Sequence, residues 1–263
     1  MLLTIFTPAY NRAYIINKLY DSLLRQNCKD FEWIVVDDGS NDGTEELINK
    51  YITSSPAIKI KYLKTINGGK HRAINRGVEM AEGELFFIVD SDDYLINDAV
   101  ECIRREWNKI KDKRFIGGLC FRKVNYSTGD FIGGKSFVQE GNYTSIDLSY
   151  KLNIYGDKSE IFLTEIMKQF PFPVFEKEYF VPEALIWNRI GHKYKLHFVN
   201  KGIYMCDYLE DGLSRNFKEN MKRNPNGFAL FYRELQSYDI PFLIRAKSVI
   251  RLIQCLVYRF NKR

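Results

Sequence analysis

Three carboxylates fall within four residues at Asp90-Ser91-Asp92-Asp93, directly after the apolar, β-favouring run Leu85-Phe86-Phe87-Ile88-Val89. That order reads as a buried strand delivering acids to the edge of a sheet. Acids so close repel one another unless a cation sits among them. Hard oxygen ligands suit Mg²⁺ or Mn²⁺, which usually bind through one or two carboxylates together with substrate phosphates. The same acids would also suit a turn capping the helix that begins near Ile96.

Other polar loops offer complementary chemistry. Asp37-Asp38-Gly39-Ser40 follows the apolar run Phe31–Val36, and the Asp38 carboxylate is an acceptor suited to a base imide or to ribose hydroxyls. Tyr10 offers a stacking face, and Arg12 a phosphate partner. In Asn67-Gly68-Gly69-Lys70 the glycines permit close backbone approach, and Lys70 places a positive charge beside a helix start. Further on, Pro182 is well placed to open a helix with Glu183 in its first turn. A carboxylate there is stabilised by the helix dipole, and Glu183, Glu178 and Asp157 are the acids of this region that could take a proton. His192 and His197 flank a strand and read as structural.

The elements that must hold these loops follow from periodicity. Leu2–Thr7, Phe31–Val36, Ile58–Leu63 and Leu85–Val89 read as strands, each followed by a polar loop and then apolar residues at helical spacing. Repeated strand, loop and helix imply a mostly parallel doubly wound α/β sheet, and such sheets bind ligands outside the carboxyl ends of their strands. Beyond residue 112 the pattern changes. Phe115–Val124 and Phe131–Ile132 suggest a mixed extension of the sheet, and Asp157–Lys168 reads as a helix through Ile161, Phe162, Ile166 and Met167. Strands are expected near Lys195–Val199 and Gly202–Tyr208, then a loop, Tyr208–Arg215, suited to a lid in which Arg215 offsets leaving-group charge or equally to an exposed loop without function. Asn224-Pro225-Asn226-Gly227 reads as a break, Phe228–Leu235 as a short helix, and the stretch from Pro241 as a final one. The expected organisation is a domain over 1–223, with halves 1–112 and 113–223, and a helical appendage over 224–263.

Composition narrows the functions. The chain has 263 residues, 45% of them hydrophobic, and a formal net charge of +6. That balance favours anionic partners such as phosphates, nucleotides or acidic membrane surfaces, without the dense basic stripe of a nucleic-acid binder. The 17 Tyr and 19 Phe read mainly as core. Five cysteines with no CxxC pair point to reduced thiols and a cytoplasmic setting rather than a zinc site or disulfide framework. Neither a signal peptide nor an eighteen-residue uncharged apolar span is expected. In the final helix, Phe242, Ala246, Val249, Ile250, Ile253, Leu256, Val257 and Phe260 share a face, with Arg245, Lys247, Arg251, Arg259 and Lys262 on the rest. That arrangement suits a helix lying in an anionic membrane surface over 241–263, or equally one packed on the domain or on another chain.

Taken in order, Thr7-Pro8-Ala9-Tyr10-Asn11-Arg12, Val35-Val36-Asp37-Asp38-Gly39-Ser40, Asn67-Gly68-Gly69-Lys70 with Ala73 and Asn75, and Ala81-Glu82-Gly83-Glu84 leading into Asp90-Ser91-Asp92-Asp93 resemble the family 2 inverting glycosyltransferases of GT-A fold. The resemblance covers roughly the first 110 residues. It implies that Asp38 binds the base of a nucleotide sugar, a UDP-sugar being favoured, and that Thr7, Pro8, Tyr10 and Arg12 line the nucleotide. Asp90 and Ser91 would meet ribose or the metal's water shell, Lys70 the base or phosphates, and Asp92 with Asp93 would ligate Mn²⁺ or Mg²⁺. It places the base at the start of a helix after the sheet extension. There this chain has Pro182-Glu183-Ala184 instead of a paired acid. The implied acceptor is a saccharide or lipid-linked saccharide of the kind built into bacterial surface polysaccharides, with the enzyme peripheral on the inner face of the membrane. A nucleotidyltransferase would share the sheet and acids but would show a glycine- and basic-rich loop after the first strand, where Thr7–Asn11 is poor in both. A nucleotide-binding scaffold without activity is the other rival, and the acids at 38, 90, 92 and 183 speak against it.

Overall fold

The computed structural model describes residues 1–134, 137–206 and 217–261. The chain runs β1 (Leu3–Ala9), α1 (Asn17–Leu24), β2 (Phe31–Asp37), α2 (Thr44–Ser54), β3 (Lys59–Lys64), α3 (Lys70–Met80) and β4 (Leu85–Ile88). It continues through β5 (Tyr94–Leu95), α4 (Ala99–Asn108), β6 (Ile116–Asn125), β7 (Gly141–Tyr143), β8 (Lys158–Leu163), α5 (Thr164–Gln169), α6 (Glu183–Gly191) and β9 (Lys195–Cys206). Three helices close it: α7 (Phe217–Arg223), α8 (Pro225–Leu235) and α9 (Phe242–Asn261). One sheet carries every described strand, in the order β3-β2-β1-β4-β8-β6-β9-β5, with β7 paired to β9. Strands β1 to β4 are parallel, as strands connected by helical crossovers must be. β1 and β2 have hardly a solvent-facing side chain, because helices cover both faces.

The expected helix over Asp157–Lys168 is a strand followed by a short helix. β8 slots antiparallel between β4 and β6. Ile161 packs into the core on one face of the sheet and Phe162 into the core on the other, so two adjacent apolar residues serve opposite sides. A strand buried on both faces has that run of apolar residues, and its local periodicity does not separate it from a helix. The two strands expected after Lys195 are a single strand, β9, whose pairing with β6 is interrupted by register shifts rather than by a turn. The expected break at Asn224–Gly227 is instead the start of α8, with Asn224 at the N-cap and Pro225 in the first turn, where its missing N–H is no loss. Tyr208–Arg215 and Lys262 lie outside the described residues.

α8 is bound firmly to the sheet half. The Arg189 guanidinium of α6 makes a two-pronged pair with Glu234, at 2.8 and 2.6 Å. α9 packs on α8 through Ser248 and Cys255, flanked by Ile244 and Leu252. The apolar stripe read from the sequence therefore points the other way, with Phe242 80% and Phe260 78% exposed.

Candidate functional site

The site forms where the parallel strands end. β4 gives out at Ile88 and the chain turns through Asp90-Ser91-Asp92-Asp93 before β5. α3 begins at Lys70, after Gly68 and Gly69 have brought the backbone against the loop that precedes α6. Gly69 holds φ at +93°, and a Cβ there would collide with the Tyr179 carbonyl, so only glycine lets the two segments approach. The amide N–H groups of Gly68 and Gly69 each donate to an oxygen of the Asp38 carboxylate at 2.7 Å. The end of β2 and the start of α3 are thereby locked together. Burial is the main influence on Asp38 and raises its pKa despite those two bonds. Each carboxylate oxygen retains a lone-pair site for a ligand donor.

Lys70 joins the acidic loop to α6. Its ammonium lies 2.6 Å from Asp90 Oδ1 and 2.8 Å from Glu183 Oε1. Burial opposes the charge on Lys70, yet Asp90 and Glu183 outweigh it and raise the pKa well above its ordinary value. Asp90 is the converse case. Burial works against its carboxylate, but Lys70, Lys123 and Arg12 prevail and lower its pKa. Lys123, from β6, reaches within 4.0 Å of Asp90 and lies 3.9 Å over the Tyr204 ring of β9.

The remaining acids of the loop differ in environment. Asp93 is buried and accepts from the Tyr204 hydroxyl, which itself accepts the Asp90 N–H at 2.9 Å. Burial, offset in part by Lys123, pushes the Asp93 carboxyl up to about 7. Asp92 is half-buried, and desolvation followed by repulsion from Asp90 raises its pKa. Among the described residues no three His, Cys, Asp or Glu side chains converge on a point able to hold a metal by themselves. The donor set still fits a divalent ion that takes its other ligands from a diphosphate and water. Asp92 is an acid whose charge its surroundings oppose, and Asp90 is close enough to add to that opposition. Asp93, turned inward on Tyr204, supports the loop rather than facing the cleft.

The structure brings Lys70, Asp90 and Glu183 into one ion cluster, with Arg12 close enough to influence Asp90 and Asp92. Tyr10 is half-exposed, as a stacking surface must be. Ser91 is buried within the loop, and Pro8 stands near the end of β1. Thr7 is different: its side chain is buried and its hydroxyl accepts from the Trp33 indole at 2.9 Å, so it holds strands β1 and β2 together. Glu178 is excluded as a base. Its oxygens accept the backbone N–H groups of Asn226 and Gly227 at 2.8 and 2.9 Å, capping α8 in a buried position. Asp157 is exposed on the loop before β8. His192 stacks on Tyr238, and His197 bonds Asn142 at 2.8 Å, both structural arrangements.

Residues that the sequence reading left aside complete the cavity between β4 and α6. Lys123, Lys158, Glu160 and Trp187 line it together with Asp90 and Glu183. The signal that could have found them is the alternation Lys158, Glu160, Phe162: two charges on one face of a strand that is otherwise buried.

Comparison with known proteins places this geometry. The profile of glycosyl transferase family 2 matches residues 4–177. The chondroitin synthase of Pasteurella multocida is 42% identical over 112 residues, 43% of this chain but only 11% of that protein. A GalNAc(5)-diNAcBac-PP-undecaprenol beta-1,3-glucosyltransferase of Campylobacter jejuni is 23% identical over 219 residues, covering 81% of this chain and 69% of the relative. The chain thus spans about a tenth of the synthase and some two thirds of the glucosyltransferase. Among solved structures, S. aureus TarS 1-349 in complex with UDP-GlcNAc superposes with a TM-score of 0.71 at 21% identity, over 99% of this chain and 73% of that one. The mannosyltransferase PcManGT from Pyrobaculum calidifontis, in complex with GDP-Man and Mn²⁺, gives 0.64 at 16% identity, over 97% and 73%. These likenesses show the fold, which is that of GT-A glycosyltransferases.

Proposed function

The chain belongs to glycosyl transferase family 2, and on that premise we propose that it moves a sugar from a nucleoside diphosphate donor, favouring a UDP-sugar, to an acceptor hydroxyl with inversion. One observation carries the reading: a single lysine ties the first acid of the donor loop to the acid that opens α6. Asp38, Tyr10 and Arg12 border the nucleotide end of the cleft and Glu183 the acceptor end. In the reaction the acceptor oxygen bonds to the anomeric carbon as the bond from that carbon to the diphosphate oxygen breaks. The acceptor proton passes to Glu183, and the nucleoside diphosphate leaves. Lys70 holds the Glu183 carboxylate toward the cleft and keeps its charge compensated until then. Mn²⁺ or Mg²⁺ held by Asp92, with Asp90 beside it, would neutralise the diphosphate.

The test is release of nucleoside diphosphate across a panel of nucleotide sugars, with and without Mn²⁺, in the presence of saccharide and lipid-linked acceptors. Glu183→Gln should bind donor normally and fail to transfer. Transfer at the wild-type rate would remove Glu183 from the mechanism.

The lipid-linked acceptor and a peripheral membrane position belong to the same proposal, supported by α9. This helix of 20 residues, about 30 Å long, contains no acidic residue. Phe242, Leu243, Ile250, Ile253, Val257 and Phe260 are 51–80% exposed on the face away from α8. Arg245 and Lys247 flank that face, so an anionic bilayer surface satisfies both the apolar stripe and its basic borders. No described helix is long and apolar enough to cross a membrane. Co-sedimentation with anionic but not neutral vesicles, lost on deleting residues 241–263, is the expected result. Equal partitioning of the deleted form refutes the membrane assignment alone.

A further inference from the structure

β1 ends at Ala9, and two residues later Asn11 holds φ at +53°. A residue with a Cβ rarely takes that left-handed conformation, and asparagine is among the few that tolerate it. Such a torsion persists where the surroundings over-determine it, and it is a reason to ask what the strained residue does. The surrounding bonds are present. The Asn11 N–H donates to Ser40 Oγ at 2.8 Å, and Asn11 Oδ1 accepts the Asn41 N–H at 3.0 Å. Ser40 is buried and its own N–H is held by Asp37 Oδ1 at 2.8 Å, so the acceptor for Asn11 is itself fixed. The loop after β1 is thereby clasped to the loop after β2.

Tyr10 lies between two anchored residues. On one side Ala9 pairs with Asp37 in the sheet, and its carbonyl accepts the Asp38 N–H at 2.8 Å. On the other, Asn11 is tied to the residues two and three positions past Asp38. Among the described residues the half-exposed Tyr10 side chain makes no hydrogen bond or ring contact, so the backbone on either side decides where the ring can reach. The Asp38 carboxylate is fixed separately, by the Gly68 and Gly69 amides. An open aromatic face and a carboxylate acceptor are thus held in a set relation at the ends of adjacent strands. A nucleobase needs both together, because its faces stack while its N–H groups lie in its edge.

Resting on the transferase reading above, we infer that Asn11 is a positioning residue whose left-handed torsion and two bonds to the Ser40–Asn41 segment aim the Tyr10 ring at the base of the nucleotide donor, in register with Asp38. It acts through Tyr10 and not through the diphosphate, since Arg12, the next residue, has its own anchor in the bond from its N–H to Thr44 Oγ1 at 3.0 Å. Alanine at position 11 would meet the cost of the torsion and lose the Oδ1 acceptor, so the chain on the far side of Tyr10 would be released.

The experiment is a thermodynamic cycle read by calorimetric titration of UDP or GDP, whichever the wild type binds more tightly, with Mn²⁺ present. The proteins are the wild type, Asn11→Ala, Tyr10→Ala and the double variant. Stacking on an aromatic side chain strengthens base binding about tenfold, so Tyr10→Ala should lose that factor and Asn11→Ala about fivefold. In the Tyr10→Ala background Asn11→Ala should cost less than about twofold, because the ring it aims is gone. Asn11→Gly accepts the torsion without the Oδ1 bond and should fall between Asn11→Ala and wild type. If circular dichroism shows Asn11→Ala unfolded, Ser40→Ala removes the other half of the clasp and takes its place in the cycle, with a loss in the same direction. An Asn11→Ala affinity within about twofold of wild type overturns the inference, and so does a Tyr10→Ala variant that binds like wild type. An equal loss in both backgrounds, or fewer binding sites at unchanged affinity, marks a structural role and overturns it too. All these outcomes leave the transferase reading standing. A wild-type protein that binds neither UDP nor GDP overturns the nucleotide assignment itself and the inference with it.

Discussion

Replacing Lys70 by methionine removes the positive charge between Asp90 and Glu183 while keeping the length of the side chain. The two carboxylates both lie within hydrogen-bonding distance of the ammonium, so without it they face each other about 5 Å apart. At an effective dielectric constant near 20 that repulsion is about 3 kcal/mol. Asp90 is 29% and Glu183 32% exposed, so water reaches both and the net loss of stability should be nearer 2 kcal/mol. For a chain of this size that is a fall in Tm of roughly 5 °C. The functional effect should exceed the structural one. If Lys70 orients the base, transfer should drop about a hundredfold, the lower range for losing a positioned general base. The decisive measurement is a double-mutant cycle with Glu183→Gln, followed by urea unfolding and by initial rate. In stability, the second substitution should rescue the first, because it removes one of the repelling charges. In rate, the two should be strongly non-additive, because both disable the same base. Additive effects on stability, together with a Lys70→Met variant that transfers at the wild-type rate, would refute the coupling.

Other outcomes follow from the same geometry. Asp92→Asn should abolish the stimulation of nucleoside diphosphate release by Mn²⁺ and yet leave Tm equal or higher, because the native environment opposes the charge on Asp92. Gly69→Ala should destabilise the protein by more than about 2 kcal/mol in urea unfolding, since it combines a left-handed φ with a collision against the Tyr179 backbone. His71 supplies a pH dependence. Its imidazole is buried, and burial, reinforced by Arg72 and opposed in part by the Tyr179 backbone, lowers its pKa to about 4 from 6.5. The unfolded chain therefore binds this proton below about pH 6.5 while the native protein refuses it down to about pH 4. Stability present above pH 6.5 should be lost across that window, by up to about 3 kcal/mol, and His71→Gln should flatten the slope in urea unfolding curves measured between those limits.

The parallel half of the fold was legible because its signal is local. β1, β2 and β4 are apolar runs and β3 alternates lysine with apolar residues, each is closed by a polar loop, and each loop lies at the carboxyl edge by topology alone. Asp38, Lys70, Asp90 and Glu183 stood out in the sequence as candidates for that reason, as each lies at or just beyond an element's end. What the sequence hid depends on pairing across distance. β8 was read as a helix because its apolar residues are adjacent, and only insertion between β4 and β6 makes adjacency the pattern of a strand. With β8 misplaced, Lys158 and Glu160 had no face to point from. Lys123 and Tyr204 stayed invisible because β6 and β9 meet only after more than seventy intervening residues, and nothing near either one marks it as polar machinery. Thr7 and Glu178 failed in the opposite direction. Both are residue types that serve nucleotides and bases, and each is consumed by an internal hydrogen bond that no spacing rule reports.

The ion cluster also sets how far the charge of each acid of this site is compensated by the protein itself. Asp90 and Glu183 share Lys70, Lys123 adds a second positive charge beside Asp90, and Asp93 takes the Tyr204 hydroxyl while burial favours its neutral form. At Asp92 burial and Asp90 outweigh the opposing pull of Arg12 and Lys70, so it is the acid whose carboxylate would gain most from an incoming cation. A divalent cation entering with a diphosphate would therefore gain most at Asp92, since Asp90 already shares its charge with Lys70 and Lys123 and Asp93 is turned inward on Tyr204.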